Sequence, residues 1–482
     1  MLEKRDYDAV VIGSGPNGLA AAIAMQREGL SVIVIEGKAS IGGGMRTEEL
    51  TLPGYHHDVC SAIHPLGADS PFFRTVPLEE HGMEWIYPHL ALAHPLDDGT
   101  VGQMYHSIED TAKSFGIDGS AYIDLMQPFT KRWNDLVIDI LGPLRIPNNP
   151  LLMARFGLKA MQSATGLANA TFKNPVTKGF FAGLAAHSMI PLDKISTSAI
   201  GLVLGILGHH KGWPLPKGGS QKIADAMVSY FKKLGGTVET NHMVKSLKEL
   251  PSSHALIFDT NTIQMMKIAG HKFSSLYKFQ LNRFKYGVGV FKVDYAYEGK
   301  IPFKSELCKK AGTVHLGGTI EEIARSEKDA WLGKHSERPF VLLTQQSTFD
   351  DTRAPEGKST VWAYCHVPQG SPVDMSAHID NQIERFAPGF KERILARHTI
   401  SAAQYESHNP NYYGGDINAG AQDVTQIFTR PALRLSPYAT SAKGIYICSS
   451  STPPGGGVHG MCGYYAAKKA CKDIFGINLK LQ

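Results

Sequence analysis

The sequence predicts an α/β protein in which one sheet domain, assembled from separate stretches of chain, carries an inserted α+β domain. Three observations predict it. A strand, a glycine turn and a small-residue helix open the chain. A second glycine cluster follows the acidic residue that ends the next strand. A strand, a glycine-rich loop and a helix close the chain.

The opening strand, Tyr7-Asp-Ala-Val-Val-Ile12, runs into Gly13-Ser-Gly15-Pro16-Asn17-Gly18 and then a helical stretch from Leu19 to Glu28. Gly13 suits the tight turn, Gly15 lets backbone N–H groups approach a pyrophosphate, and Gly18 lets the helix pack closely on the strand. The helix N-terminus favours the negative charge. A second strand, Ser31 to Ile35, ends at Glu36, the acid expected to hydrogen-bond an adenosine ribose hydroxyl rather than a 2′-phosphate. A lone glycine fingerprint is weak, but one set between two strands with its acid in register is specific. Directly after it stands Ser40-Ile-Gly42-Gly43-Gly44-Met45-Arg46-Thr47. This second cluster lets backbone pass the far side of a pyrophosphate, with Arg46 able to neutralise it, a device that plain nicotinamide dehydrogenases do not need. The alternative is a glycine-rich surface turn with a solvated arginine. The first reading makes this a Rossmann-type FAD-binding domain.

Composition bounds the rest. With 482 residues, 43% hydrophobic and 19% charged, the chain is globular and long enough for two domains. A formal charge of +5, with Lys and Arg spread along the chain, implies no nucleic-acid partner. The first strand begins almost at once, which leaves no room for a targeting leader and predicts a cytoplasmic protein. The six cysteines are scattered without a C-x-x-C pair, which argues against a dithiol redox centre and a cysteine zinc site. His56-His57-Asp58 with His64 is the one cluster of metal-ligand type, but no helical H-x-x-x-H spacing supports it, so no metal is expected.

The segment from Pro71 to Pro216 reads as mostly helical and grows more apolar towards Ala199–Leu207. That run is too short to cross a bilayer, which needs about 20 residues. It reads either as a buried helix whose Gly201 and Gly205 admit a close neighbour, or as an interfacial patch that dips into lipid. Ser220 caps a helix from Gln221 to Leu234, stopped by Gly235-Gly236, and Thr237–Val244 and Ala255–Asp259 follow as strands. From Phe284 to Arg397 the pattern becomes strand-like, at Gly287–Asp294, Arg338–Leu343 and Ser359–His366, with a capping box Thr319-Ile-Glu-Glu322 opening a helix. No second strand-glycine-helix fingerprint occurs there, so no separate NAD domain is expected. The predicted division is 1–70, 214–262 and 430–482 for the FAD-binding domain, and 71–213 and 263–429 for the substrate domain.

At the far end Gly444–Cys448 reads as a strand, Ser449–Gly457 as a tight loop and Val458–Cys471 as a helix, an end that brings a helix dipole and backbone N–H groups to a planar ring. Taken together, the chain resembles the FAD-dependent phytoene (carotenoid) desaturase family of the flavin amine oxidase superfamily. Within it the likeness is to the phytoene dehydrogenase-related branch, that of pyridine nucleotide-disulphide oxidoreductase domain-containing protein 2. The resemblance covers nearly the whole chain. It rests on Gly13–Gly18, Glu36 with Gly42-Gly43, Pro216-Lys-Gly-Gly219, Ala311–Gly318, Asn409–Asp416 and Cys448-Ser-Ser-Ser-Thr-Pro-Pro-Gly-Gly-Gly-Val-His-Gly460. It implies that Gly13, Gly15 and Gly18 hold the pyrophosphate and Glu36 the adenosine ribose. Gly43 and Arg46 would meet the phosphate and ribityl region, and Val244 the adenine through its backbone. Gly456, Gly457, Val458 and His459 would lie by the isoalloxazine. Where the family commonly has a small-Gly or acidic turn, this chain has Ser449-Ser450-Ser451.

The function implied is an FAD-dependent oxidoreductase of dehydrogenase or desaturase type. It would take hydride from an apolar, isoprenoid or lipid-like substrate to flavin N5, with reoxidation by oxygen or a quinone. His459 is the first candidate to take or steer a proton, followed by Tyr412, Asp416 and His187, each of which also reads as a satisfied structural residue. Two other readings stay open. One is a non-enzymatic lipid or protein carrier on a scaffold like that of the GDP dissociation inhibitors, and the other is a flavin amine oxidase. The expected partner is an apolar small molecule, with peripheral membrane contact and a homo-oligomer left open.

Overall fold

The computed structural model describes residues 4–427 and 429–481. A five-stranded parallel sheet runs in the order Ile445–Ile447, Ser253–Phe258, Tyr7–Ile12, Val32–Ile35, Thr237–Glu239. Its strands thus come from the beginning, the middle and the end of the chain. They are short Val/Ile-rich runs because both faces are buried. Ala9, Val11, Val32 and Val34 pack on the side of the helix Pro16–Gln26, while Val10, Ile12, Ile33 and Ile35 join Met265 and Ile268 on the other. The helix Pro16–Gln26 lies against helices Met461–Ala470 and Gln221–Lys233.

The second sheet has seven strands in the order Ile394–Ile400, Gly289–Glu298, Lys358–Val367, Val341–Thr344, Ala311–Leu316, Leu90–Pro95, Val101–Tyr105. Only the pair Ala311–Leu316 and Leu90–Pro95 is parallel. Successive side chains alternate between faces. Phe291, Val293, Leu343 and Ala363 point to a core closed by Ile379 and Ile383 of the helix Ser376–Phe386. Val290, Leu342, Trp362 and Tyr364 point the other way, towards the first domain.

Three differences from the sequence reading have physical reasons. Residues 71–216 are not all helical, because Leu90–Pro95 and Val101–Tyr105 form a hairpin on the second sheet. The strand expected over Thr237–Val244 stops at Glu239, where the chain turns through Asn241 at φ 59°. Ile394–Ile400 alternates half-buried and exposed positions over its first four residues as an edge strand, a pattern too polar to read as sheet. The capping box at Thr319 forms as expected and opens the helix Ile320–Trp331. The apolar run 199–207 lies in the helix Thr197–His210, where Leu202, Ile206 and Leu207 are fully buried and a Cβ on Gly201 would stand 3.2 Å from Phe181 Cζ. The burial of these residues fits the core reading of that run. Among the described residues no helix is long and apolar enough to cross a membrane.

Candidate active site

The first glycine turn follows the strand Tyr7–Ile12, with Gly13 at φ +103°, a conformation that L side chains rarely adopt. A Cβ on Gly43 would stand 2.9 Å from Gly15 Cα, so the two glycine clusters face each other at van der Waals distance. Beside them Glu36 Oε2 accepts from the backbone and hydroxyl of Ser14, and Oε1 accepts from Lys38 N at 2.9 Å and Arg46 Nη2 at 3.2 Å. Arg46 also donates to Ser40 O at 2.8 Å and is buried. Its charge is thus matched by Glu36, and its work is to pin the second turn as well as to line the site. Gly18 and Gly42 stand behind the wall. Gly18 N donates to Asp259 Oδ2 at 2.9 Å, and Gly42 N donates to Ser14.

Gly13, Gly15, Pro16, Asn17, Glu36, Gly43, Arg46 and Val244 line one cavity with Ser450, Gly456, Gly457 and Val458 from the far end of the chain. Its volume is about 420 Å³. Asn17 Nδ2 reaches Ser450 Oγ at 3.5 Å, joining the two ends of the chain across it. Thr260 Oγ1, also in this wall, is buried without a partner. Two apposed glycine turns at a helix N-terminus, an unpartnered hydroxyl and a ribose-type acid fit a bound dinucleotide.

The proton-handling candidates separate. Tyr412 and His187 line the cavity; His459 and Asp416 do not. His459 Nδ1 accepts from Met461 N at 3.0 Å, and Nε2 donates to Gly455 O at 3.1 Å, so both ring nitrogens are occupied. Burial lowers its pKa to about 4. His459 is a neutral brace for the last glycine loop, not the proton acceptor expected. Asp416 accepts from the backbone N–H groups of Gly287, Asn418 and Gly420 at 2.7–2.9 Å and clasps a loop. Tyr412 packs edge-on against Tyr405, and burial holds its phenol well above its usual pKa. His187 Nε2 meets His315 Nε2 at 3.2 Å, and burial takes it down to about 3.

Several wall residues escape a sequence reading. Lys292, 1% exposed, forms an ion pair with Asp294 on the chamber side of the second sheet, and Asp294 also faces His57 Nδ1 at 3.7 Å and His398 Nδ1 at 3.6 Å. The available signal is two opposite charges at i and i+2 inside an otherwise apolar strand. Asp259 stands at the helix N-terminus, where burial raises its pKa to about 7, Glu36 adds to the rise, and the Gly18 and Gly15 N–H groups oppose it. Asp58, of the His56-His57-Asp58 cluster, is spent on a clamp. It pairs with Arg353 Nη2 at 2.8 Å and accepts from Ser220 N, while Arg353 Nε bonds Asp350 at 2.9 Å. All three charged groups are buried, and together they bolt the first domain to the second sheet.

This geometry has relatives. The family model described as an NAD(P)-binding Rossmann-like domain matches residues 11–76. Pyridine nucleotide-disulfide oxidoreductase domain-containing protein 2 of Rattus norvegicus is 25% identical, over 98% of this chain and 94% of that protein. One of the subunits of limonene dehydrogenase from Castellaniella defragrans is 22% identical, over 99% and 97%. The neurosporene-forming phytoene desaturase of Rhodobacter capsulatus is 23% identical, over 94% and 92%. The chain is thus similar over nearly its whole length to the phytoene desaturases. Among solved structures, an oxidoreductase from Methanosarcina mazei superposes with TM-score 0.64 at 13% identity, covering 96% of this chain and 99% of that one. Putrescine oxidase bound to putrescine does so with TM-score 0.60 at 16% identity, covering 98% and 99%. The chain therefore shares the two-domain fold of these oxidoreductases.

Proposed function

We propose that this chain is an FAD-dependent oxidoreductase that removes hydride from a largely apolar substrate held in the chamber between the second sheet and the helix Thr197–His210. The observation that carries the reading is the single cavity that runs from Glu36 and the glycine turns to a wall of Ile200, Val203, Leu204, Val290 and Leu342. FAD, when bound, supplies the hydride acceptor. The chain's own residues do the rest. Glu36, Gly15, Gly43 and Asn17 would hold the dinucleotide, and Gly456, Gly457 and Val458 would face its ring. The apolar wall excludes water and orients the substrate. His187 is neutral in the working range and serves as a shape and hydrogen-bonding group rather than a base.

Oxygen or a quinone is the proposed final acceptor. The test is the visible spectrum of the purified protein, identification of the released cofactor, and anaerobic reduction followed by mixing with air or a soluble quinone. Bound FAD that an apolar substrate bleaches supports the reading, and a colourless protein that takes up no FAD refutes it.

Peripheral membrane contact is the second part of the proposal, through a surface other than the run 199–207. Leu151 and Leu158 lie on one exposed face of the helix Pro150–Ala160 with Ile146 just before it, and Arg155 and Lys159 are exposed on the same helix. Apolar side chains among cations suit an anionic bilayer. Flotation with anionic vesicles, lost in Leu151→Asp with Leu158→Asp while FAD content is kept, is the expected result; flotation unchanged by these variants refutes it.

A further inference from the structure

The chamber floor is the inward face of the second sheet. Thr313 lies opposite Thr344, Thr344 opposite Trp362, and Trp362 opposite Asp294, so one row crosses four strands. Residues directly opposed across strands share a face, with Cβ atoms about 5 Å apart. Thr313, Thr344 and Trp362 are 3%, 3% and 7% exposed, and all three line the cavity. Thr313 Oγ1, Thr344 Oγ1 and Trp362 Nε1 have no hydrogen-bond partner. Three adjacent unpartnered polar groups beside Val290, Leu342 and Val203 in the wall are an exception that needs a reason, since buried polar groups are ordinarily paired.

We propose that this row recognises an oxygen on the substrate, which is then an apolar molecule carrying a carbonyl or hydroxyl group rather than an unsubstituted hydrocarbon. The inference rests on the oxidoreductase reading above and narrows its substrate class. The indole N–H only donates, and a threonine hydroxyl donates when its partner cannot, so the row offers neighbouring donors to an acceptor oxygen. A carboxylate is disfavoured because the Lys292 charge is already matched by Asp294. A hydrocarbon that fills the chamber leaves all three groups unpaired, and a site built to bond an oxygen rejects the analogue that lacks it far more strongly than an apolar pocket rejects an extra group. The row therefore selects on chemistry and the rest of the chamber on shape.

Matched probes test this on the holoenzyme: limonene, and carvone, which adds a ring carbonyl to the same skeleton. Titrations read the perturbation of the bound cofactor's visible spectrum, with FAD content determined on the same sample. Carvone is expected to bind at least about tenfold tighter, a ratio equal to about 1.4 kcal/mol. The double variant Thr313→Val with Thr344→Val, and separately Trp362→Phe, should bring carvone to the affinity of limonene while limonene binding and FAD content stay as they were. Thr344→Ser should keep the preference. Equal affinities, a preference for limonene, binding of neither probe, or a preference that survives these variants overturns the proposal. A sample that holds no FAD refutes the oxidoreductase reading instead, and thermal-shift titration of that sample with the same two probes still decides the row.

Discussion

At the dinucleotide end of the cavity the wall is mainly backbone, with glycine turns, one carboxylate whose hydrogen bonds are filled and another at a helix N-terminus. At the chamber end it is side chains, donated by strands and helices hundreds of residues apart in sequence. The difference teaches where each region is vulnerable. The cradle is lost when a side chain or a charge is wrong at a single position. The chamber should keep its shape through single conservative changes and lose only its preference among substrates. The Arg353 clamp belongs to neither and holds both.

The clamp carries the largest expected effect. Removing one partner of a buried ion pair strands the other's charge, at a cost of about 3–5 kcal/mol. Arg353→Met should therefore lower the stability of the whole chain by about that amount in urea titrations, because Asp58 and Asp350 are left buried without their cation. A loss below about 1 kcal/mol would mean that the two regions are joined mainly by apolar packing.

Next comes the charge inside the cradle. Asp259 has its pKa raised from 3.8 to about 7, chiefly by burial, so the folded chain holds that proton better than the unfolded chain does. The stability this contributes is full below about pH 4 and is lost as the pH rises to about 7. Asp259→Asn should match the parent near pH 4 and exceed it by about 4 kcal/mol at pH 8, from a shift of about 3 units at about 1.4 kcal/mol each. Urea midpoints at pH 4.5, 6 and 7.5 check this, and a constant difference would mean the carboxyl ionises normally. Glu36→Gln acts on the cofactor and on the cradle together: about 2 kcal/mol, or about 30-fold weaker FAD binding by equilibrium titration, is expected for losing a charged acceptor, and the cofactor-free chain should lose stability as well because buried Arg46 is left without its counter-charge.

The same contrast explains what is legible in the sequence. The cradle can be read because its requirements are local, with Gly13, Gly15 and Glu36 lying within one strand-turn-helix-strand unit, each position admitting few residue types. Even there Asp259 escapes, because it arrives from a strand far along the chain. The far-end glycine loop can be read as a site, but not the part played by His459, since only the fold reveals that both its nitrogens face backbone. The chamber is illegible because Thr313, Thr344, Trp362 and Lys292 become neighbours only through sheet register, and single threonines inside strands look like ordinary β formers. The hairpin Leu90–Pro95 with Val101–Tyr105 is hidden within a stretch that otherwise reads as helical.

The smallest expected effect separates brace from catalyst at His459. A proton acceptor would have one ring nitrogen free to face substrate, whereas here Nδ1 takes the Met461 N–H and Nε2–H is given to Gly455 O. Glutamine can reproduce one of these bonds but not both in the same geometry, so His459→Gln should cost about 1 kcal/mol of stability, the usual net worth of one hydrogen bond. It should leave the rate of substrate-driven bleaching in anaerobic single turnover within about threefold, because a rate is lowered tenfold only by about 1.4 kcal/mol lost in the transition state alone. If the bleaching rate instead falls a hundredfold or more while FAD content and stability are kept, the histidine acts on the reaction itself, and the last glycine loop belongs with the chamber as chemistry rather than with the cradle as support.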